Sequence, residues 1–99
     1  MEEFTLDFFA NDRYKLLNIL CINQVKMKED FFIPLSQQEL ANIANFSKLK
    51  TNKILNELIE LKLVEIYQGK KGKYSLTDKA YKILHLIQKL IYNLFKGVG

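Results

Sequence analysis

The stretch that decides the fold is SQQELANIANFSKLKTNKILNELIEL, residues 36–61. It opens on Ser36 with Glu39 three positions later, the spacing of a capping box. In that arrangement the serine hydroxyl accepts from the backbone N–H of residue 39, and the glutamate reaches back to the N–H of Ser36. A short helix is predicted from here, with Leu40, Ala41, Ile43 and Ala44 facing inward. Asn45 tolerates the left-handed conformation that ends a helix. Phe46 is the apolar residue of the turn, and Ser47 caps a second helix that reaches about Leu61. Its inward positions are Thr51, Ile54, Leu55 and Leu58.

Working upstream, Pro34 blocks helix and leaves Phe31, Phe32 and Ile33 as a short extended run. Before it, a first helix is expected to be capped by Asn11 or Asp12 and to run through Tyr14, Leu17, Leu20, Cys21 and Val25. Phe4, Leu6, Phe8 and Phe9 are too apolar for a free tail and are expected to pack on this domain or on a second subunit. Working downstream, Leu63 to Tyr67 reads as a strand, and Gln68 to Lys73 as a turn bracketed by Gly69 and Gly72. Tyr74, Ser75 and Leu76 return as a second strand. Thr77 caps a last helix, with Asp78 in its electropositive first turn. A single domain over 1–99 follows: N-terminal helix and short strand (1–35), two helices and their turn (36–61), hairpin (63–76) and C-terminal helix (77–96).

That order of elements is the winged helix-turn-helix topology, a mainly α fold with a small β-hairpin wing. Over residues 33 to 80 the chain resembles bacterial winged-helix regulators such as the MarR and ArsR families. The residues that carry the resemblance are Glu39-Leu40-Ala41, Phe46-Ser47, Leu55, Leu58, Leu63-Val64 and Tyr74-Ser75-Leu76-Thr77. Asn45 and Lys62 stand where many relatives have glycine, and arginine is scarcer here than is usual along the second helix and wing. The resemblance implies a homodimeric, sequence-specific binder of double-stranded DNA, usually a transcriptional repressor. In size and layout the chain also resembles partition adaptors of the TubR type, whose partners are centromere repeats and a filament-forming, tubulin-like GTPase. A winged helix that docks proteins is a third reading.

Charge favours the DNA readings. Net charge is +4 and the pI about 9.2, but the balance is uneven. Residues 1–46 carry seven acids against four basic residues, whereas residues 47–73 carry seven lysines against three glutamates. The second helix begins Ser47-Lys48-Leu49-Lys50-Thr51-Asn52-Lys53, with no acid in its first two turns. In a helix-turn-helix these turns face base edges in the major groove. Lysines there oppose the helix dipole, a cost that phosphate binding would explain. Ser47, Lys48, Leu49, Lys50, Asn52 and Lys53 are therefore candidate DNA contacts, with Lys70, Lys71 and Lys73 on the wing. Lysines suit phosphate or guanine, Asn52 suits adenine, and Leu49 suits a thymine methyl, so an A·T-rich operator is expected.

The last helix is too apolar for a monomer surface. One stripe runs through Ala80, Leu84, Ile87, Ile91 and Leu94, and a second through Ile83, Leu86, Leu90 and Leu94. Phe8, Phe9, Leu84, Ile87, Ile91 and Leu94 are the expected dimer contacts. No catalytic motif, metal-ligand spacing or cofactor loop stands out, and none is expected. His85 is the sole histidine and Cys21 the sole cysteine, read as a small core residue. No apolar run approaches the ~20 residues of a bilayer span, and no basic leader precedes the first apolar segment. The expected setting is the cytoplasm of a bacterium, or a phage- or plasmid-encoded product within one.

Overall fold

A computed structural model of the chain describes residues 11–70 and 72–98. Phe4, Leu6, Phe8, Phe9 and Lys71 therefore lie outside the described residues. Helix α1 spans Asp12–Ile22 and is capped by Asn11, whose side-chain oxygen accepts from the Arg13 N–H at 2.9 Å. It buries Leu16, Leu17 and Leu20. The helix does not run on to Val25 as expected. The backbone N–H and side-chain amide of Asn23 both donate to the Ile19 carbonyl, at 3.1 and 2.8 Å, and the Gln24 amide donates to the Cys21 carbonyl at 3.2 Å. The Asn23 backbone bond is the last i→i−4 bond of the helix, and beyond it Gln24 takes the Cys21 carbonyl that a helical Val25 N–H would have used, so the chain leaves the helix.

It turns instead into a hairpin that the apolar spacing did not reveal. Strand β1 (Val25–Met27) pairs antiparallel with β2 (Asp30–Phe32), Val25 opposite Phe32. Lys28 takes a left-handed φ of 59° at the turn. Ile33 then exchanges both backbone hydrogen bonds with Tyr74, at 2.7 and 3.1 Å, which ties this hairpin's exit to the second hairpin.

Helix α2 (Gln37–Ala44) carries the capping box, with Glu39 N–H to Ser36 Oγ at 3.1 Å and Ser36 N–H to Glu39 Oε1 at 3.0 Å. Leu40, Ala41 and Ala44 are buried, but Ile43 is 49% exposed and not inward as expected. The other three share one stripe, and Ile43 falls on its edge, where no element among the described residues buries it. Asn45 adopts φ 60° and ψ 42°, and the Phe46 N–H reaches back to the Ala41 carbonyl at 2.9 Å. Helix α3 (Lys48–Glu60) follows, capped by Ser47 Oγ on the Lys50 N–H at 3.0 Å. It ends the same way: Lys62 has φ 61°, and the Leu63 N–H bonds the Leu58 carbonyl at 2.9 Å. Asn45 and Lys62 thus hold the left-handed positions that glycine takes more cheaply.

Strands β3 (Val64–Ile66) and β4 (Tyr74–Leu76) form the wing, Val64 opposite Leu76. Tyr67 turns into a 3-10 segment, Tyr67–Gly69, rather than extending β3. Gly72 sits at φ 86°, a conformation that disfavours any side chain. The Thr77 hydroxyl accepts from the Ala80 N–H at 3.2 Å and donates to the Lys62 carbonyl at 2.7 Å. It therefore caps α4 (Asp78–Val98) and fastens it to the end of α3. The core lies where α1, α2 and α3 meet each other and the wing. Leu17, Leu20, Ile33, Leu40, Leu55, Leu58 and Leu63 fill it, and Ala80, Ile83, Leu84 and Ile87 close it from α4.

Leu58 is wholly buried, and Leu49, nine residues earlier on the same helix, is 83% exposed. Leu58→Ala is expected to lower stability by about 2–5 kcal/mol, transfer and cavity terms together. Leu49→Ala is expected to change it by no more than about 0.5 kcal/mol. Urea unfolding of the two variants against the parent chain checks both.

Candidate nucleic-acid interface

Helix α3 packs on α1 and α2 through Thr51, Ile54, Leu55 and Leu58, and that packing decides which of its residues face outward. Thr51 is fully buried, its hydroxyl donating to the Ser47 carbonyl at 3.0 Å, so it belongs to the core. The opposite face presents Lys48, Leu49, Lys53 and Asn56, all exposed, with Asn52 half-buried between them. The Ser47 hydroxyl is engaged as the cap.

Lys50 is exposed but engaged. Its Nζ pairs with Asp12 of α1 at 2.5 Å and lies 4.6 Å from the centre of the Phe46 ring. Lys15 approaches the same ring at 4.8 Å while donating to the Ala44 carbonyl at 2.7 Å. Phe46 is therefore flanked by two ammonium groups, an arrangement that the negative ring face favours. Next to this, Arg13 grips the Glu57 carboxylate with both its Nε, at 3.1 Å, and a terminal guanidinium nitrogen. Asn11, Asp12, Arg13, Lys50, Lys53 and Glu57 line a shallow groove between α1 and α3. A half-exposed pair such as Asp12–Lys50 is worth roughly 0–1 kcal/mol, so a phosphate can displace the carboxylate at little cost. Among the described residues Lys48 and Lys53 form no ion pair.

The lysines thus divide by task. Lys15 and Lys79 donate to the last carbonyls of α2 and α3, Lys79 to Leu61 at 3.0 Å, which complements the negative helix ends. Lys48 and Lys50 sit in the positive first turn of α3, where cations are unfavourable by roughly 0.3–1 kcal/mol each, and Lys53 follows in the second turn. Asp12 offsets part of that at Lys50.

On the wing Lys70 is exposed and Lys73 is half-buried, its Nζ 5.6 Å from the Phe32 ring centre. Phe32 in turn stacks on Tyr67, ring centres 4.9 Å apart, and the Tyr67 hydroxyl donates to Asp30 at 3.2 Å. The first hairpin therefore braces the base of the wing, a link between residues too distant in sequence to be read from a pattern.

Two residues belong with this surface that sequence reasoning did not single out. Gln37 Oε1 accepts from Asn52 Nδ2 at 3.0 Å, and Asn52 Oδ1 accepts from Asn56 Nδ2 at 2.9 Å. The four-residue spacing of Asn52 and Asn56 was a visible signal, whereas the Gln37 contact crosses from one helix to the next.

Of the expected dimer residues, Leu84 (3% exposed) and Ile87 (9% exposed) are buried in the domain's own core and are not available to a partner. Ile91 is half-buried against that core. Leu94 is exposed, as are Leu90 and Phe95, which continue the same stripe. The Cys21 thiol is pushed upward in pKa by burial, in keeping with a packing role. His85 is exposed on α4. Among the described residues no three His, Cys, Asp or Glu side chains gather as metal ligands would, and no helix is long and apolar enough to cross a membrane.

No family model matches this sequence, and no curated protein does so either. Solved structures show the fold. A MarR family transcriptional regulator from Silicibacter pomeroyi superposes with a TM-score of 0.62 at 21% identity, over 87% of this chain and 54% of that one. The reduced (Fe(II)) CO-sensing protein from R. rubrum superposes with a TM-score of 0.61 at 17% identity, over 74% of this chain and 35% of that one. The chain therefore has a winged helix fold of the kind found in the MarR regulator, and it spans about half or less of the length of these proteins.

Glu39 holds the start of α2, and its carboxyl lies below the ordinary glutamate range because it accepts from the Ser36 backbone and side chain. A lowered folded-state pKa adds stability that is complete above the unfolded value of about 4.3 and is lost as pH falls through the folded value. Glu39→Gln keeps the accepting oxygen but not the charge. It should flatten this part of the acid limb in a urea-midpoint series from pH 6 downward, leaving the neutral-pH fold intact.

Proposed function

We propose that this chain is a transcription regulator that binds double-stranded DNA as a homodimer. The outer face of α3 enters the major groove, and the wing lies along the adjacent backbone. The observation that carries the reading is the start of α3. Lys48, Lys50 and Lys53 stand exposed at a positive helix end with no acid in its first turn. Beside them, the only ion pair among the described residues that involves these lysines is the readily exchanged Asp12 contact. The winged helix fold shared with the MarR regulator supports it. Lys70, Lys71 and Lys73 are the wing's phosphate contacts, and binding over a promoter represses by occlusion. No feature of α3 or the wing favours the partition adaptor or the protein-docking module over the regulator.

The homodimer reading is supported by α4. Its core-facing stripe is buried in the domain at Ala80, Ile83, Leu84 and Ile87 and then continues through Leu90, Leu94 and Phe95, which are 45%, 61% and 76% exposed. Burying a Leu or Phe side chain contributes about 1.5–3 kcal/mol, so a second copy of this helix end would gain substantially from pairing. Two copies would also present two α3 helices to successive major grooves.

Fluorescence anisotropy over a salt series tests the DNA contact. The chain is expected to bind duplex DNA with a steep salt slope, and each phosphate contact removed should reduce that slope by roughly 0.9. The Lys48→Ala, Lys50→Ala, Lys53→Ala triple variant should therefore bind more weakly and with a shallower slope; an unchanged slope would remove α3 from the interface. For the dimer, sedimentation velocity should find a dimer that Leu94→Glu with Phe95→Glu converts to a monomer of unchanged helix content.

A further inference from the structure

The outer face of α2 and α3 carries a chain of amides. Gln37 Oε1 receives one N–H of Asn52, and Asn52 Oδ1 receives one N–H of Asn56. A primary amide has two N–H donors and two lone pairs on its oxygen. The chain uses one of each on Asn52 and leaves one donor and one acceptor on the same amide. It also holds that plane in place, because a turn of the side chain would break both bonds. Asn52 is half-buried, between Lys48, Leu49, Lys53 and Asn56 on the exposed face.

We infer that Asn52, held by Gln37 and Asn56, reads an adenine in the major groove, so that the DNA target of this surface contains an A·T pair at a fixed place in each half-site. The inference rests on the DNA-binding reading above. Adenine alone offers an acceptor (N7) beside a donor (N6) on its major-groove edge. Guanine offers two acceptors there, and the acceptor of Asn52 would face one of them. Cytosine offers a donor and thymine an acceptor, and each satisfies only half of the amide. Leu49 precedes Asn52 by three residues on the same face, where neighbours lie about 5–6 Å apart, and it is 83% exposed. An apolar side chain so placed fits a thymine methyl, the group that distinguishes the same class of base pair. Gln37 and Asn56 are positioning residues, acting through Asn52.

The test uses duplexes selected from a randomised library by the full chain, with 7-deazaadenine, which lacks the N7 acceptor, put in place of each adenine in turn. At one adenine of each half-site the analogue is expected to weaken binding about tenfold, the loss of one of the two hydrogen bonds with the Asn52 donor left unsatisfied. Asn52→Ala should bind the two duplexes equally. Asn56→Asp, which replaces the donor to Asn52 with an acceptor, should bring the adenine to 7-deazaadenine affinity ratio toward one, and Asn56→Gln should restore it. The ratio, unlike the affinity, is insensitive to a general loss of charge or stability. Duplex binding indifferent to every analogue would overturn the inference and leave the DNA-binding reading standing. An Asn56→Asp variant with an unchanged ratio would overturn the positioning role. Failure to bind any duplex would remove the DNA-binding reading and this inference with it.

Discussion

The structure depends on the burial of one stripe of α3. Thr51, Ile54, Leu55 and Leu58 are each no more than 5% exposed, and they lock the helix against α1 and α2. A helix has two sides, so fixing one fixes the other. Once that stripe is buried, Leu49, Asn52, Lys53 and Asn56 have no choice but to face outward. The ends are fixed as well: Ser47 sets where the helix starts, and the left-handed Lys62 sets where it stops. The wing and α4 then follow from that stop, because the Thr77 hydroxyl and the Lys79 ammonium both bond carbonyls at the end of α3. Fold and candidate interface are in this sense one constraint seen from two sides.

Positive charge is placed in two different ways. An ordinary domain of this size places acids, not lysines, at helix starts. Here the lysines crowd the start of α3, and the acid that answers them comes from another helix, Asp12, at the cost of no more than a weak, half-exposed pair. Elsewhere lysine is used conventionally, at the ends of α2 and α3 through Lys15 and Lys79. The contrast separates structural lysines from those whose placement stability does not explain. The apolar end of α4 is a parallel case. The stripe that closes the core from Ala80 to Ile87 is equally apolar at Leu90, Leu94 and Phe95, which are exposed.

Much of this was legible because it is local. The capping box at Ser36 and Glu39, the left-handed Asn45, the cap at Ser47, the buried stripe of α3 and the strands of the wing each depend on residues within a few positions of one another. What sequence spacing could not supply was the reach of each contact. Val25 sits four residues beyond Cys21 and so looked helical, but the Gln24 amide takes the Cys21 carbonyl that a helical Val25 N–H would need. Ile43 and the α4 stripe show that periodicity defines a face without showing how far the core extends under it. Ile43 fell outside, and Leu84 and Ile87 fell inside when they were expected at a subunit contact. The Asp12–Lys50 pair, the Gln37–Asn52 bond and the Phe32–Tyr67 stack join residues 15 or more positions apart, on different elements. Each of the three alters the chemistry of the surface, and none leaves a local pattern.

Helix α3 packs on the domain with one face and is proposed to meet DNA with the other. The most direct measurement is backbone amide mapping by NMR as a short duplex is titrated into the isotope-labelled chain. Perturbed amides are expected to cluster at Ser47 to Asn56 and Lys70 to Lys73, with α1 beyond Arg13 and the buried half of α4 nearly silent. Perturbation confined to the exposed end of α4, or spread without preference over the surface, would contradict it.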